Sequence, residues 1–150
     1  MKKLLSILIA VLAIEINFAQ THSQADADKI LGVWQTGSGK GRILITKYGD
    51  NKFGGKIIWL REPLDANGKP KTDVKNPDES KRKRPKMGLN NLLGFTYEGN
   101  NRFENGTIYD PENGKTYKCI ITLINKNTLT VKGYSGITLI SRTDTWRRVK

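Results

Sequence analysis

The short connections between apolar runs are what most constrain the fold of this chain. After residue 30, runs rich in Ile, Val, Thr, Tyr and Trp alternate with turns rich in Gly, Asn, Asp and Pro. Most of these turns are too short for the crossover that parallel strands require, whereas antiparallel neighbours need only a hairpin. The pattern therefore predicts consecutive β-hairpins, with strands near 31–36, 41–48, 53–60, 92–98, 102–109, 115–124, 128–134 and 138–148.

An antiparallel meander of this kind leaves two unpaired edges unless it closes on itself. We therefore predict an all-β, eight-stranded, antiparallel up-and-down barrel, with an open sandwich as the alternative. The interior of such a barrel is filled by side chains or holds one small ligand. One connection, about 61–90, is far longer than the rest and holds four of the five prolines. A loop of that length covers something or is mobile.

The first residues have the pattern of a secretory signal peptide. Lys2 and Lys3 precede an apolar run over 4–14, and Ala19 supplies a small residue at the expected cleavage point. The run is shorter than the roughly 20 residues of a membrane-spanning helix. We expect a periplasmic or secreted protein. The expected organisation is a signal peptide over 1–19, a flexible leader over 20–29 that includes a helical turn near 26–31, and one barrel domain over 30–150.

The scarcity of His and Cys excludes several kinds of chemistry. The single His, His22, lies in the predicted leader, so the barrel offers no Ser-His-Asp, Cys-His or His-based metal site. Cys119 has no second Cys to pair with, and it lies on the apolar face of an alternating strand, where we predict that it is buried. We predict no catalytic residue, no metal and no cofactor.

Of the formal net charge of +12, residues 69–86 in the long loop supply +5, above all through Lys81-Arg82-Lys83-Arg84-Pro85-Lys86. In an exported protein this tract indicates an anionic lipid or polymer as partner, bound in a salt-dependent manner. No aromatic residue interrupts the tract, which argues against stacking on bases and against a specific nucleic-acid partner. The alternative is a solvated loop that only keeps the protein soluble.

The two ends of the predicted barrel carry complementary residues. Gly32-Val33-Trp34 begins the first strand, and the last strand carries Trp146 and three arginines: Arg142, Arg147 and Arg148. First and last strands are neighbours in a closed barrel, so an arginine of the last can stack on the tryptophan of the first. The predicted closure residues are Gly32, Trp34, Arg142 and Trp146.

A longer set of motifs resembles a known family. These are Gly32-Val33-Trp34, Gly54-Gly55-Lys56-Ile57-Ile58-Trp59-Leu60, Asp73-x-x-Asn76-Pro77, Arg84-Pro85-x-x-Gly88-Leu89, Gly106-x-Ile108-Tyr109-Asp110-Pro111-x-x-Gly114-Lys115-x-Tyr117, Gly133-Tyr134 and Arg142-Thr143-x-Thr145-Trp146. Together they resemble, over residues 30–150, the bacterial secreted family called domain of unknown function 2147. The resemblance implies a small lipocalin-like barrel and no particular activity.

These observations favour non-enzymatic binding of a small apolar or amphipathic ligand in the barrel or at its mouth. An alternative is an envelope protein that binds anionic lipid or polymer through the basic loop, and a third is a hydrolase that uses loop carboxylates such as Asp73. The aromatic candidates can equally fill the core, and the polar ones can brace the loop. The candidate ligand-binding residues are Trp34, Trp59, Asp73, Asn76, Arg82, Arg84, Tyr109, Tyr117 and Tyr134.

Overall fold

The computed structural model describes residues 24–134 and 141–150, so the predicted signal peptide and His22 lie outside the described residues. The described chain forms a closed barrel in which each strand is antiparallel to its neighbours. The strands are β1 (Gly32–Gln35), β2 (Gly41–Tyr48), β3 (Lys52–Leu60), β4 (Asn90–Tyr97), β5 (Arg102–Asp110), β6 (Lys115–Asn125), β7 (Thr128–Tyr134) and β8 (Ser141–Arg148).

The predicted eight-stranded up-and-down barrel is therefore confirmed. The sandwich alternative is wrong, because β1 pairs with β8 and closes the sheet. That seam is short: β8 pairs with β7 over seven positions but with β1 only at Trp34↔Arg148 and Gln35↔Arg147. The β1–β2, β3–β4 and β5–β6 connections lie at one end of the barrel, which we call the loop end. The β2–β3, β4–β5 and β6–β7 connections and residues 24–31 lie at the opposite end, called the closed end.

Large side chains fill the barrel interior. Trp34, Phe53, Phe95 and Phe103 have at most 2% of their surface exposed, and the rings of Phe53 and Phe103 meet edge to face at 5.1 Å. Gly106 leaves room for this packing, because a Cβ there would overlap the ring of Phe95. The described interior is thus a packed core, and surfaces outside it are where a ligand can bind.

The N-terminal residues contribute to this core at the closed end. Residues 24–28 are helical, in line with the helical turn expected near this position, and Ala27 and Ile30 are buried. Lys47 of β2 reaches Asp28 at 3.0 Å and ties the segment to the barrel. Ala27, which lies in the predicted leader, and Ile30, which follows it, therefore help to close this end of the barrel.

The long connection between β3 and β4 is an ordered substructure. It contains two isolated β-bridges, Leu64↔Pro70 and Thr72↔Pro85, and a 3-10 turn over Glu79–Lys81 whose N-cap is Asp78. Gly114, in the β5–β6 turn, has φ +73° and lies so close to the loop that a Cβ would overlap the carbonyl of Lys75. The loop is thus docked on the β5–β6 hairpin. In the described part of the chain no helix is long and apolar enough to cross a membrane.

Candidate functional site

The predicted aromatic candidates do not line one cavity. Trp34 is fully buried at the closed end. Trp59 lies under the guanidinium of Arg42, whose Cζ is 4.6 Å from the ring centroid, and Tyr134 lies beside the ammonium of Lys132 at 5.4 Å. The hydroxyl of Tyr117, at the loop end, accepts a hydrogen bond from Asn113. Tyr109 hydrogen-bonds to Asp73 and Asn76 of the long loop.

Arg148 stacks on Trp34 and closes the barrel. Its Cζ lies 4.2 Å from the ring centroid of Trp34, and its three nitrogens donate to the carbonyl oxygens of Lys126, Leu31 and Lys29 at 2.6–2.7 Å. Trp34 in turn donates its indole N–H to the carbonyl of Ile30. Burial of this guanidinium lowers the pKa of Arg148. The guanidinium of Arg148 therefore joins the first strand, the last strand and the N-terminal segment.

The sequence had indicated Arg142 for this role, together with Gly32 and Trp146. The structure places Arg142 opposite Gly133, exposed and near the loop end. Trp146 is buried and donates its indole N–H to Asp144, which also accepts from the backbone N–H of Gly37. Asp144 thus links the β1–β2 turn to β8, a role that the sequence did not indicate.

A buried carboxylate organises the junction between the long loop and the barrel. Asp73 has no exposed surface and accepts three side-chain donors: Tyr109 Oη at 2.6 Å, Asn76 Nδ2 at 2.8 Å and Arg84 Nε at 3.0 Å. Arg84 Nη2 also lies 2.9 Å from Asp73 Oδ2. Arg82 is one step further out, since its Nε donates to the carbonyl of Asn76. Four predicted polar residues and Tyr109 are therefore brought together.

The electrostatics of this cluster favour a fixed charge state. Burial alone raises the pKa of Asp73, but the hydrogen bonds from Tyr109, Asn76 and Arg84 and the charge of Arg84 outweigh it, so the pKa lies below its usual value. Burial, the hydrogen bond to Asp73 and its charge raise the pKa of Tyr109 to about 12. Asp73 is an ionised acceptor whose oxygens are already occupied, which suits a brace better than a catalytic base.

A groove of about 460 Å³ borders this cluster, and it is open to solvent. Arg84 forms one wall, and Met87 and Leu93 expose 39% and 49% of their surfaces. Arg84 Nη1 has no partner among the described residues, whereas its other nitrogens bind Asp73. The groove thus offers apolar surface next to a fixed donor. Its lining is Arg84, Pro85, Met87, Gly88, Leu89, Asn90 and Leu93; we call it the junction groove.

Met87 and Leu93 were not among the predicted site residues, but one signal in the sequence pointed to Leu93. Leu92 and Leu93 are consecutive apolar residues, and successive side chains of a strand point to opposite faces. In the structure Leu92 is 1% exposed and Leu93 lies outside. A doubled leucine in an alternating strand therefore marks an apolar residue on the outer surface.

Ion pairs neutralise most of the basic tract. Lys81 pairs with Asp78, Arg82 with Glu79, Arg84 with Asp73 and Lys86 with Glu112, at distances of 2.7–3.3 Å. Lys83 alone in the tract has no acidic partner among the described residues. The hydrogen bond from Lys86 lowers the pKa of Glu112, and the Lys86 side chain is only 8% exposed. Several of these cations therefore hold the loop together.

Other candidate chemistry is also accounted for. Asp110 accepts the backbone N–H of Glu112 at 2.9 Å, as expected for Asp before Pro at a turn. Cys119 is buried, as predicted, and burial raises the pKa of its thiol to about 12. Within residues 24–134 and 141–150, no cluster of three or more His, Cys, Asp or Glu side chains is arranged to hold a metal ion.

Comparison with known proteins agrees with this architecture. Protein HP1028 from the human pathogen Helicobacter pylori, which belongs to the lipocalin family, is similar in structure, with a TM-score of 0.67 and 23% sequence identity over 81% of this chain and 83% of that chain. No curated protein matches the chain. A family model described as "Uncharacterized protein conserved in bacteria (DUF2147)" matches residues 32–148. This likeness is one of fold, and the family model, which matches most of the chain, shows that the protein belongs to the bacterial family of domain of unknown function 2147.

Proposed function

We propose that the protein is exported and binds a small amphipathic ligand in the junction groove without transforming it. The observation that carries the proposal is the position of Arg84. Buried Asp73 holds this guanidinium at the border of a groove whose other walls include the exposed side chains of Met87 and Leu93. A fixed polar donor beside apolar surface is the usual composition of a small-molecule site.

The geometry indicates how the two parts of the ligand are held. The apolar part lies against Met87 and Leu93, where covering exposed carbon is favourable at about 25 cal/mol per Å². The polar head accepts a hydrogen bond from Arg84 Nη1. Because Asp73 already compensates the charge of Arg84, a hydroxyl or amide oxygen serves as well as a carboxylate in the head. The packed barrel interior favours this outer groove over the barrel axis.

The experiment uses the mature protein, produced with its own N-terminal segment and purified from the bacterial periplasm. We expect native mass spectrometry to detect a co-purified small molecule, and a panel of lipids and amphipathic metabolites to raise the melting temperature. Intact mass also reports the N-terminus, which we expect just after Ala19. Neither a bound molecule nor a thermal shift across the panel would refute ligand binding.

Variants test whether the groove is the site. Leu93→Ser and Met87→Ser each remove apolar contact and should weaken binding by about tenfold, which corresponds to the partial loss of one buried side chain. Ile124→Ser is the matched control, because Ile124 is an exposed strand residue, at 55%, but does not line the groove. Equal affinities for Leu93→Ser and Ile124→Ser would exclude the groove.

The two other functions have less support. Binding of an anionic polymer through residues 81–86 must compete with four internal ion pairs. Replacing Lys81, Arg82, Lys83 and Arg84 with Ser tests it, because lost retention on heparin or lipopolysaccharide would favour this function. A hydrolase that uses Asp73 requires access to a carboxylate that has no exposed surface.

A further inference from the structure

The closed end of the barrel carries a second depression, distant in the fold from the junction groove. It measures about 590 Å³, within the range of roughly 300–1,000 Å³ typical of small-molecule sites. Its walls come from the N-terminal segment, the β4–β5 turn, the β6–β7 hairpin and the end of β8, and Leu123, which is 4% exposed, contributes an apolar wall.

Positive charge at this depression is poorly compensated. Lys29, Lys126 and Arg148 line it, and none of the described lining residues carries a carboxylate. Lys29 pairs with Asp26, but Lys126 has no acidic partner among the described residues. In the part of the chain that the structure describes, Arg148 donates only to backbone carbonyls, which carry no net charge. Among the described residues, two of these three cations, Lys126 and Arg148, therefore lack the acidic partners that neutralise the basic tract of the long loop.

The donors available here suit an oxyanion. A guanidinium has five N–H groups, so Arg148 keeps two that its three carbonyl contacts do not use. The Lys126 ammonium contributes further donors. Asn101 and Asn127 also line the depression, and neither side-chain carboxamide has a partner in the described structure. Carboxamides both donate and accept, as hydroxyl groups beside an anion require.

We propose that the closed end binds a phosphate group, held by Arg148 and Lys126, with neighbouring hydroxyl groups of the ligand hydrogen-bonded to Asn101 and Asn127. Guanidinium and ammonium groups are the side chains that recognise phosphate, and burial of Arg148 against Trp34 fixes one of them in advance. The phosphate belongs either to a soluble phosphorylated sugar or to a lipid headgroup. The site is separate from the junction groove and does not depend on it.

Two arms of one experiment distinguish these sources. Glucose 6-phosphate and inorganic phosphate are titrated into the mature protein while amide NMR signals are recorded. Vesicles of phosphatidylglycerol and phosphatidylcholine are tested in parallel, with pure phosphatidylcholine vesicles as the reference. Saturable shifts centred on Leu123 and Asn127 with the sugar phosphate support a soluble ligand. Binding restricted to the anionic vesicles supports a headgroup.

Lys126→Ser tests the site without disturbing the barrel, because Arg148 binds the backbone carbonyl of residue 126 and not its side chain. Loss of one exposed cation should weaken phosphate binding about fivefold. Lys83→Ser makes the same change of charge in the long loop and should leave binding unchanged. No saturable shift with any probe would overturn the proposal, and so would equal weakening by the two variants.

Discussion

Replacing Asp73 by Asn keeps the shape of the buried junction but removes its charge. The carboxamide oxygen can still accept from Arg84 and Asn76, and the amide nitrogen faces the oxygen of Tyr109. The substitution removes the negative charge that strengthens the hydrogen bonds to residue 73. A hydrogen bond to a charged group contributes about 1.5–3 kcal/mol and a neutral one about 0.5–1.5 kcal/mol. The bonds that residue 73 makes with Tyr109 and Asn76 become neutral and each lose about 1 kcal/mol on this scale, whereas Arg84 still donates from a charged group, so we expect Asp73→Asn to cost about 2 kcal/mol.

This loss must depend on pH. The pKa of Asp73 is lowered in the folded protein, so its carboxylate stabilises the fold above the pKa of the unfolded chain, about 3.9. That contribution disappears as the pH falls through the folded pKa. The difference between the wild-type protein and Asp73→Asn should therefore be complete at pH 7 and become smaller below about pH 4.

Urea unfolding followed by tryptophan fluorescence measures the loss of unfolding free energy and its dependence on pH. With a slope near 2 kcal/mol per M, the midpoint should fall by about 1 M at pH 7. Asp50→Asn is the control, because Asp50 is exposed and has no hydrogen-bond or ion-pair partner in the described structure. A loss below about 0.5 kcal/mol, or the same loss at pH 3 and pH 7, would refute a charged brace at this position.

Three further changes test other parts of the structure. Arg148→Ala removes the stacking on Trp34 and three hydrogen bonds and should lower unfolding free energy by about 3 kcal/mol, whereas Arg142→Ala should change it by less than about 0.5 kcal/mol in the same thermal scan. Gly114→Ala should free the long loop to proteolysis, because its Cβ overlaps Lys75; Gly68→Ala, also at positive φ but with open space, should not. The pKa of Tyr109 is raised to about 12 in the folded protein, so the protonated hydroxyl stabilises the fold fully below the ordinary pKa near 10, and this contribution is lost as the pH rises through 12. Tyr109→Phe should therefore remove this dependence of the unfolding free energy on pH.

The sequence predicted the barrel well because its hairpins are local. Turn residues such as Asp110 act on their immediate neighbours, and the alternation around Cys119 identifies its buried face without knowledge of any partner strand. The junction cluster is different. Tyr109 and Asp73 are 36 residues apart, and their contact depends on how the whole loop folds back on the β5–β6 hairpin.

The arginine that closes the barrel illustrates the same limit. Residues 142 and 148 share one face of the last strand, because successive side chains alternate. Which of them reaches Trp34 depends on how β8 is staggered against β1, and this register is a property of the closed barrel. The pattern of the sequence therefore supports an arginine on Trp34 but does not distinguish Arg148 from Arg142.

The short seam between β1 and β8 also has a kinetic consequence. Every other ladder joins strands that follow one another in the chain, so the meander can form one hairpin after the next. The seam must instead bring Arg148 to Leu31, 117 residues away, and gains only two paired positions in return. Contacts that form after the rate-limiting step change the unfolding rate more than the folding rate. The contact between Trp34 and Arg148 is therefore expected to form last during folding and to determine the unfolding rate of the barrel.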